Sequence, residues 1–148
     1  MAKSMQYIRA QHSDLDELVQ LRIKAMRPSL EKVGRFDIKR AKARLADNFD
    51  PISTYKILKN NNLLGFYVLL NNDDCFWLDH FYIDNDYQGL GIGESVLDHI
   101  KEVVKEQSKP LRLTALKQSR ANEFYVKQGF VVIEQQPWDN LYQYNLHN

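Results

Sequence analysis

The segment Gln88-Gly89-Leu90-Gly91-Ile92-Gly93-Glu94 is the stretch best suited to chemistry. Three glycines at alternate positions leave the backbone bare, and the segment falls between an expected strand and an expected helix. Unpaired amides and the helix dipole favour an anion at such a place, and glycine lets the backbone approach a phosphate closely. A pyrophosphate is the natural guest. A dinucleotide fingerprint beginning at Gly89 would need glycine where Glu94 stands, and a P-loop would need Gly-Lys-Ser/Thr, which is absent. The plain alternative is a glycine-rich turn without ligand.

Three side chains are candidates for moving protons. Tyr125 carries a phenol with an ordinary pKa of roughly 10, protonated at neutral pH and able to donate. Its alternative is a packing role beside Phe124. On the strand before the glycines, Trp77, Asp79, Phe81 and Ile83 face one way and Leu78, His80 and Tyr82 the other. Alternation with Ile83 favours Asp79 as a base, whereas His80 has the more convenient solution pKa, roughly 6.5. Cys75 stands alone, which excludes an internal disulfide and suits a reducing compartment; amid strand residues it reads as a small hydrophobe. His12, His99 and His147 have no Cys or carboxylate spacing of a metal site, so no metal is expected.

The elements that must position these groups follow from periodicity. Gln6 to Ala10 reads as a strand, and Ser13 with Asp16 as the cap of a helix whose Leu15, Leu18, Val19, Arg22 and Met26 share a face, Arg22 snorkelling out of it. Pro28 and Gly34 break that helix, and Asp37 caps a second through Ile38, Ala41, Leu45 and Ala46. Tyr55 and Ile57, then Leu63 to Leu70, then Cys75 to Ile83 are three consecutive strands, the first pair turning at Asn60-Asn61-Asn62. After the glycines, Val96, Leu97, Ile100, Val103 and Val104 form the apolar face of a helix, and Leu111 to Leu116 is a strand parallel to the one before the crossover. A short helix from about Ser119 to Gln128 closes at Gly129, and Phe130 to Glu134 and Leu141 to Leu146 are the last strands.

Gln88 followed by Gly91 and Gly93 resembles the Q/R-x-x-G-x-G/A signature of the GNAT acetyltransferases. Downstream, Ala121-Asn122-Glu123-Phe124-Tyr125-Val126-Lys127-Gln128-Gly129-Phe130 is similar to that family's A-x-x-F/L-Y-x-x-x-G-F segment. The two signatures, in order and joined by a βαβ crossover, cover the chain from about Cys75 to Phe130. The resemblance implies a single domain, residues 1–148, with an α/β (α+β) fold. Its sheet is mixed and mostly antiparallel, of six to seven strands flanked by about four helices, with a splayed parallel pair holding acetyl-CoA. It implies that the amides of Gly89, Leu90, Gly91, Ile92, Gly93 and Glu94 bind the pyrophosphate, with Gln88 part of the signature. Phe81, Tyr82 and Ile83 would meet the pantetheine, with Asn122 and Phe124 completing the cofactor contacts. Tyr125 would protonate the departing thiolate, and Asp79 or His80 would take the amine proton. One departure is Gln118, where relatives often have Asn; Asn122 is the alternative source of that contact.

The expected activity is therefore transfer of acetyl from acetyl-CoA to a primary amine of a small molecule, a peptide N-terminus or a lysine. Two other classes compete with it: a non-catalytic module that holds coenzyme A, and a small nucleic-acid binder using basic helices. The second is disfavoured by the charge balance of 20 Lys and Arg against 19 Asp and Glu, a formal +1. Charge is local instead: from Arg22 to Arg44 there are nine basic residues against Glu31 and Asp37, and Arg27, Lys32 and Arg35 are candidates to attract an acidic group on the acceptor. The longest apolar stretch, Leu63 to Leu70, is far short of the roughly 18 residues of a membrane span, and no apolar run follows Met1-Ala2-Lys3-Ser4. The expectation is a cytoplasmic protein binding neither membrane nor nucleic acid, with room for a homodimer along an exposed last strand.

Overall fold

A computed structural model describes residues 5–145. It contains β1 (Gln6–Arg9), α1 (Leu15–Lys32), α2 (Ile38–Ala46), β2 (Thr54–Lys59), β3 (Asn62–Asn71) and β4 (Phe76–Ile83), then α3 (Ile92–Lys105), β5 (Leu111–Leu116), α4 (Ala121–Lys127), β6 (Val131–Gln135) and β7 (Asp139–Tyr144). The strands form one seven-stranded sheet in the order β1-β2-β3-β4-β5-β7-β6. The pairing is mostly antiparallel, with β4 parallel to β5. The expected fold class is thus the observed one. The last strand begins two residues earlier than the spacing suggests, and Leu146 and His147 lie outside the described residues. The chain divides into two compact units, residues 1–68 with 80–90 and residues 69–79 with 91–148.

In the first unit β1, β2 and β3 are successive antiparallel neighbours, with Tyr7 opposite Ile57 and Ile57 opposite Gly65. The β2–β3 turn places Asn60 and Asn61 at φ 53° and 64°, a left-handed pair that asparagine tolerates better than most residues. The cap of α1 is not Ser13. A 3-10 turn at His12–Asp14 precedes the helix, and the Asp14 carboxylate accepts the Gln11 amide at 2.7 Å. Nor does Pro28 end α1, because its fixed φ suits a helix and its missing N–H costs one bond, to the Lys24 carbonyl. Gly34 ends it instead. At φ 72° it lets its own amide reach Glu31 O (3.0 Å) and the Arg35 amide reach Leu30 O (2.8 Å), which satisfies the last carbonyls. Asp37 caps α2 as expected, accepting from the Arg40 amide. Leu18, Val19, Leu21 and Ile23 of α1 are buried, as are Ala41 and Leu45 of α2. Arg22 does not snorkel: it is 6% exposed.

In the second unit α3 buries Val96, Leu97, Ile100 and Val104, whereas Val103 is 41% exposed because it sits at the margin of the helical stripe. Cys75 is buried just ahead of β4. The parallel ladder registers Phe76 with Leu111 and Trp77 with Arg112. β7 pairs antiparallel with β5 along its whole length and carries β6 on its other side. α4 ends in a left-handed Gly129 at φ 91°, with the Phe130 amide on Tyr125 O (3.0 Å) and the Gly129 amide on Val126 O (3.1 Å). The rings of Phe130 and Tyr125, 5.5 Å apart, supply the hydrophobic contact that accompanies this cap.

Candidate active site

In the first unit lie the end of β4 and the loop after it. Gly65 of β3 lies so close to this strand that a Cβ there would fall 2.1 Å from Tyr82 O, so only glycine permits the approach. Along β4, alternation holds: Leu78 and His80 are buried, while Asp79 and Phe81 are half-buried. His80, 4% exposed, lies 3.1 Å through Nε2 from an Arg44 guanidinium nitrogen. Arginine has only donors to offer, so Nε2 accepts and the ring proton is on Nδ1. The ring also lies among Phe66 and Tyr82, with centroids 6.4 and 5.8 Å away.

The loop from Asp84 to Leu90 is fastened from within. The Asp84 amide donates to Leu64 O (2.7 Å), and the Asp84 carboxylate accepts from the Asp86 amide (3.0 Å) and from Lys24 (3.2 Å). The Gln88 side-chain amide donates to Ile83 O at 2.9 Å and to Asn85 Oδ1 at 3.0 Å. Gln88 therefore clasps the loop to the end of the strand. Gly89 follows at φ 81°, and Leu90 is exposed.

In the second unit lie α3, α4 and the start of β4. Gly91, at φ 77°, is the N-cap of α3 with no side-chain cap, and the first intrahelical bond is Ser95 N to Gly91 O at 3.2 Å. The amides of Ile92, Gly93 and Glu94 thus face outward along a helix dipole with no intrahelical acceptor. A Cβ on Gly91 would meet nothing within 4 Å, and one on Gly93 would meet the Phe124 ring at 3.5 Å. Gly91 is required by conformation; at Gly93 a Cβ would make only an ordinary van der Waals contact with the Phe124 ring. Tyr125, 7% exposed, packs its ring against Phe124, Phe130 and Tyr142 at centroid distances of 5.3, 5.5 and 6.0 Å. Asp79 accepts from the Trp77 indole at 3.4 Å.

Asn122 spends its amide inside the unit. Its Nδ2 donates to Leu116 O (2.9 Å) and Ser119 O (3.0 Å), and its Oδ1 accepts from Asn140 (3.0 Å) and the Tyr142 hydroxyl (2.8 Å). It ties α4 to both β5 and β7. Gln118, at φ 70°, is left-handed, a conformation in which asparagine is favoured. Arg27 of the basic stretch is held by Glu31 at 3.1 Å and lies 4.6 Å over Phe36. Sequence reasoning passed over Arg44 and Gly65. Arg44 was one charge among nine, and Gly65 showed only as a glycine inside a strand, the usual mark of close backbone approach.

A family model described as "Acetyltransferase (GNAT) domain" matches residues 25–140. The chain belongs to the GNAT acetyltransferase family. This acetyltransferase is similar in fold to PaiA N-acetyltransferase from Thermoplasma acidophilum in complex with coenzyme A, at TM-score 0.79 and 16% identity over 97% of this chain and 99% of that one. It is also similar to a GNAT-family acetyltransferase from Staphylococcus aureus, at TM-score 0.74 and 22% identity over 97% and 99%. An acetyltransferase from Thermus thermophilus gives 0.75 and 15% over 97% and 98%. No curated protein matches the sequence. As a member of the family the chain is an acyltransferase, and the coenzyme A complex of its structural neighbour supports use of that cofactor.

Proposed function

We propose that residues 1–148 act as one N-acetyltransferase domain that transfers acetyl from acetyl-CoA directly to a primary amine. The acceptor classes are a small molecule, a peptide N-terminus or a lysine. The observation that carries this reading is the uncapped N-terminus of α3, where left-handed Gly91 and three outward amides suit a pyrophosphate. Gln88, by clasping Ile83, sets the loop that leads there. The backbone of Phe81 and Tyr82 serves the pantetheine. In the transfer the amine nitrogen attacks the thioester carbonyl, the C–S bond breaks, and the amine proton leaves to Asp79 directly or through water. Asp79 is preferred to His80 because it is half-buried, whereas His80 is 4% exposed. Tyr125 gives its proton to the departing thiolate sulfur. A lone buried Cys75 suits a reducing compartment, and we read the protein as cytoplasmic.

The test is calorimetric titration with acetyl-CoA, followed by thiol release across amines, amino acids and peptides. Binding with release for one acceptor class is the expected result, and no binding would end the proposal. Gly91→Asp, which puts bulk and negative charge at the phosphate, should abolish binding. The burial of Tyr125 among three aromatic rings favours one second reading, a module that holds coenzyme A without turnover. Tyr125→Phe separates the two, lowering turnover in the enzyme and leaving acetyl-CoA affinity in place.

A further inference from the structure

Lys101 is a cation that turns inward. It stands in the second half of α3 and is half-buried, although a lysine stem ordinarily carries its charge out to water. Its ammonium bends instead onto the end of α4, where it donates to Gln128 O at 2.6 Å and lies 4.4 Å over the Tyr144 ring and 5.8 Å over that of Phe130. Burial lowers its pKa, and Asp98 and Glu94 work against that shift. Drawing an ammonium inward costs free energy unless its donors and charge are answered, and here a carbonyl and two ring faces answer them.

The place it occupies is the one that fixes Tyr125. Carbonyls in the last turn of a helix lack intrahelical donors and carry the negative end of the dipole, so a cation suits them. Tyr125 O accepts from the Gln128 amide at 3.1 Å and from the Phe130 amide at 3.0 Å, and the Tyr125 ring packs on the Phe130 ring. Lys101 thus holds, by carbonyl and by ring, the two residues that hold Tyr125 by amide and by ring. Between them stands Gly129, left-handed at φ 91°, where a Cβ would come within 3.3 Å of the Tyr144 ring. Glycine is needed for this turn, yet it leaves the adjoining peptide easy to rotate, and the bond from Lys101 sets the direction of that peptide's carbonyl.

We propose that Lys101 is a positioning residue for acetyl transfer, a clamp that fixes the C-terminus of α4 and through it the Tyr125 phenol. This rests on the acetyl-transfer reading and adds to it a residue that lies outside both sequence signatures. Lys101→Met keeps the stem and removes the donors. It should lower kcat in the thiol-release assay roughly 10- to 100-fold, the cost of an ångström-scale misplacement, while the KM for acetyl-CoA stays within about 2-fold. Lys101→Arg, which supplies both a donor and a flat cation for the ring, should recover part of the loss. In a Tyr125→Phe background Lys101→Met should add no further loss, because the clamp acts through that hydroxyl. An unchanged kcat, a loss confined to KM, no rescue by Lys101→Arg, or a full additional loss on top of Tyr125→Phe would overturn the proposal.

A readout free of turnover is amide hydrogen exchange from Phe124 to Phe130. In Lys101→Met the Gln128 and Phe130 amides should exchange roughly 10-fold faster, with protection in β5 unchanged, and Lys101→Arg should slow them again. Protection that does not move, or that falls equally through β5 and β7, would refute the clamp. The two readings fail separately: faster exchange at α4 in a protein that releases no thiol with any amine sinks acetyl transfer and keeps the clamp. Thiol release with unmoved exchange does the reverse.

Discussion

Gln118 holds a backbone angle that suits asparagine or glycine better than glutamine. The family's common Asn at this place therefore has a conformational reason, independent of any contact to ligand. Gln118→Asn should relieve about 0.5 kcal/mol and raise the melting temperature by about 1–2 °C, read by calorimetric scanning. Asn122 shows the converse: its type was legible as an amide near the site, but its work is internal, since both ends of the amide are engaged by Leu116, Ser119, Asn140 and Tyr142. One-dimensional spacing reveals which residues are polar and near a motif. It does not reveal which neighbours consume their hydrogen bonds, because those partners lie up to 20 residues away. Arg22 escaped for the same reason: helical spacing set it on the buried face, and long side chains on that face ordinarily reach out to water.

At the scale of elements, periodicity located every helix and strand that carries the site, and the errors fell at their ends. α1 runs through Pro28 because the stop signal is the pair of bonds around Gly34. Pro28→Ala restores a donor to the Lys24 carbonyl at an exposed position. It should stabilise the protein by about 1–3 kcal/mol, measured as a higher urea midpoint at unchanged slope. α3 carries a different liability. Burial lowers the pKa of His99 from its ordinary 6.5, so the folded state favours the neutral ring and the unfolded chain takes up the proton more readily. Its contribution is therefore intact above about pH 6.5 and is lost as pH falls through the lowered folded value. His99→Gln should flatten the acid side of the stability profile, recorded as urea midpoints from about pH 7 to about pH 5.

For the whole molecule, the formal charge of +1 conceals where charge resides, and the strand order conceals its own logic. The sequence offers β6 and β7 as a final hairpin, and either could lie against β5. The choice of β7 follows from its buried Tyr142, which joins the core, while all five residues of β6 are exposed. Alternation could not decide this, since Val131, Val132 and Ile133 look more like an inner strand than Asp139 to Tyr144 does. Solvent on both faces of β6 makes its Val131–Ile133 run an aggregation-prone edge, relieved by the exposed Glu134 and by the bulge between Val132 and Glu134. The two tryptophans differ in kind. Trp138 is 48% exposed, whereas Trp77 is half-buried with its indole on the Asp79 carboxylate. Iodide should therefore quench Trp138 first, and the emission that survives comes from an indole bonded to the proposed base. The protein carries its own optical indicator: the colour of that residual light reports the surroundings of the Asp79 carboxylate without label, substrate or turnover.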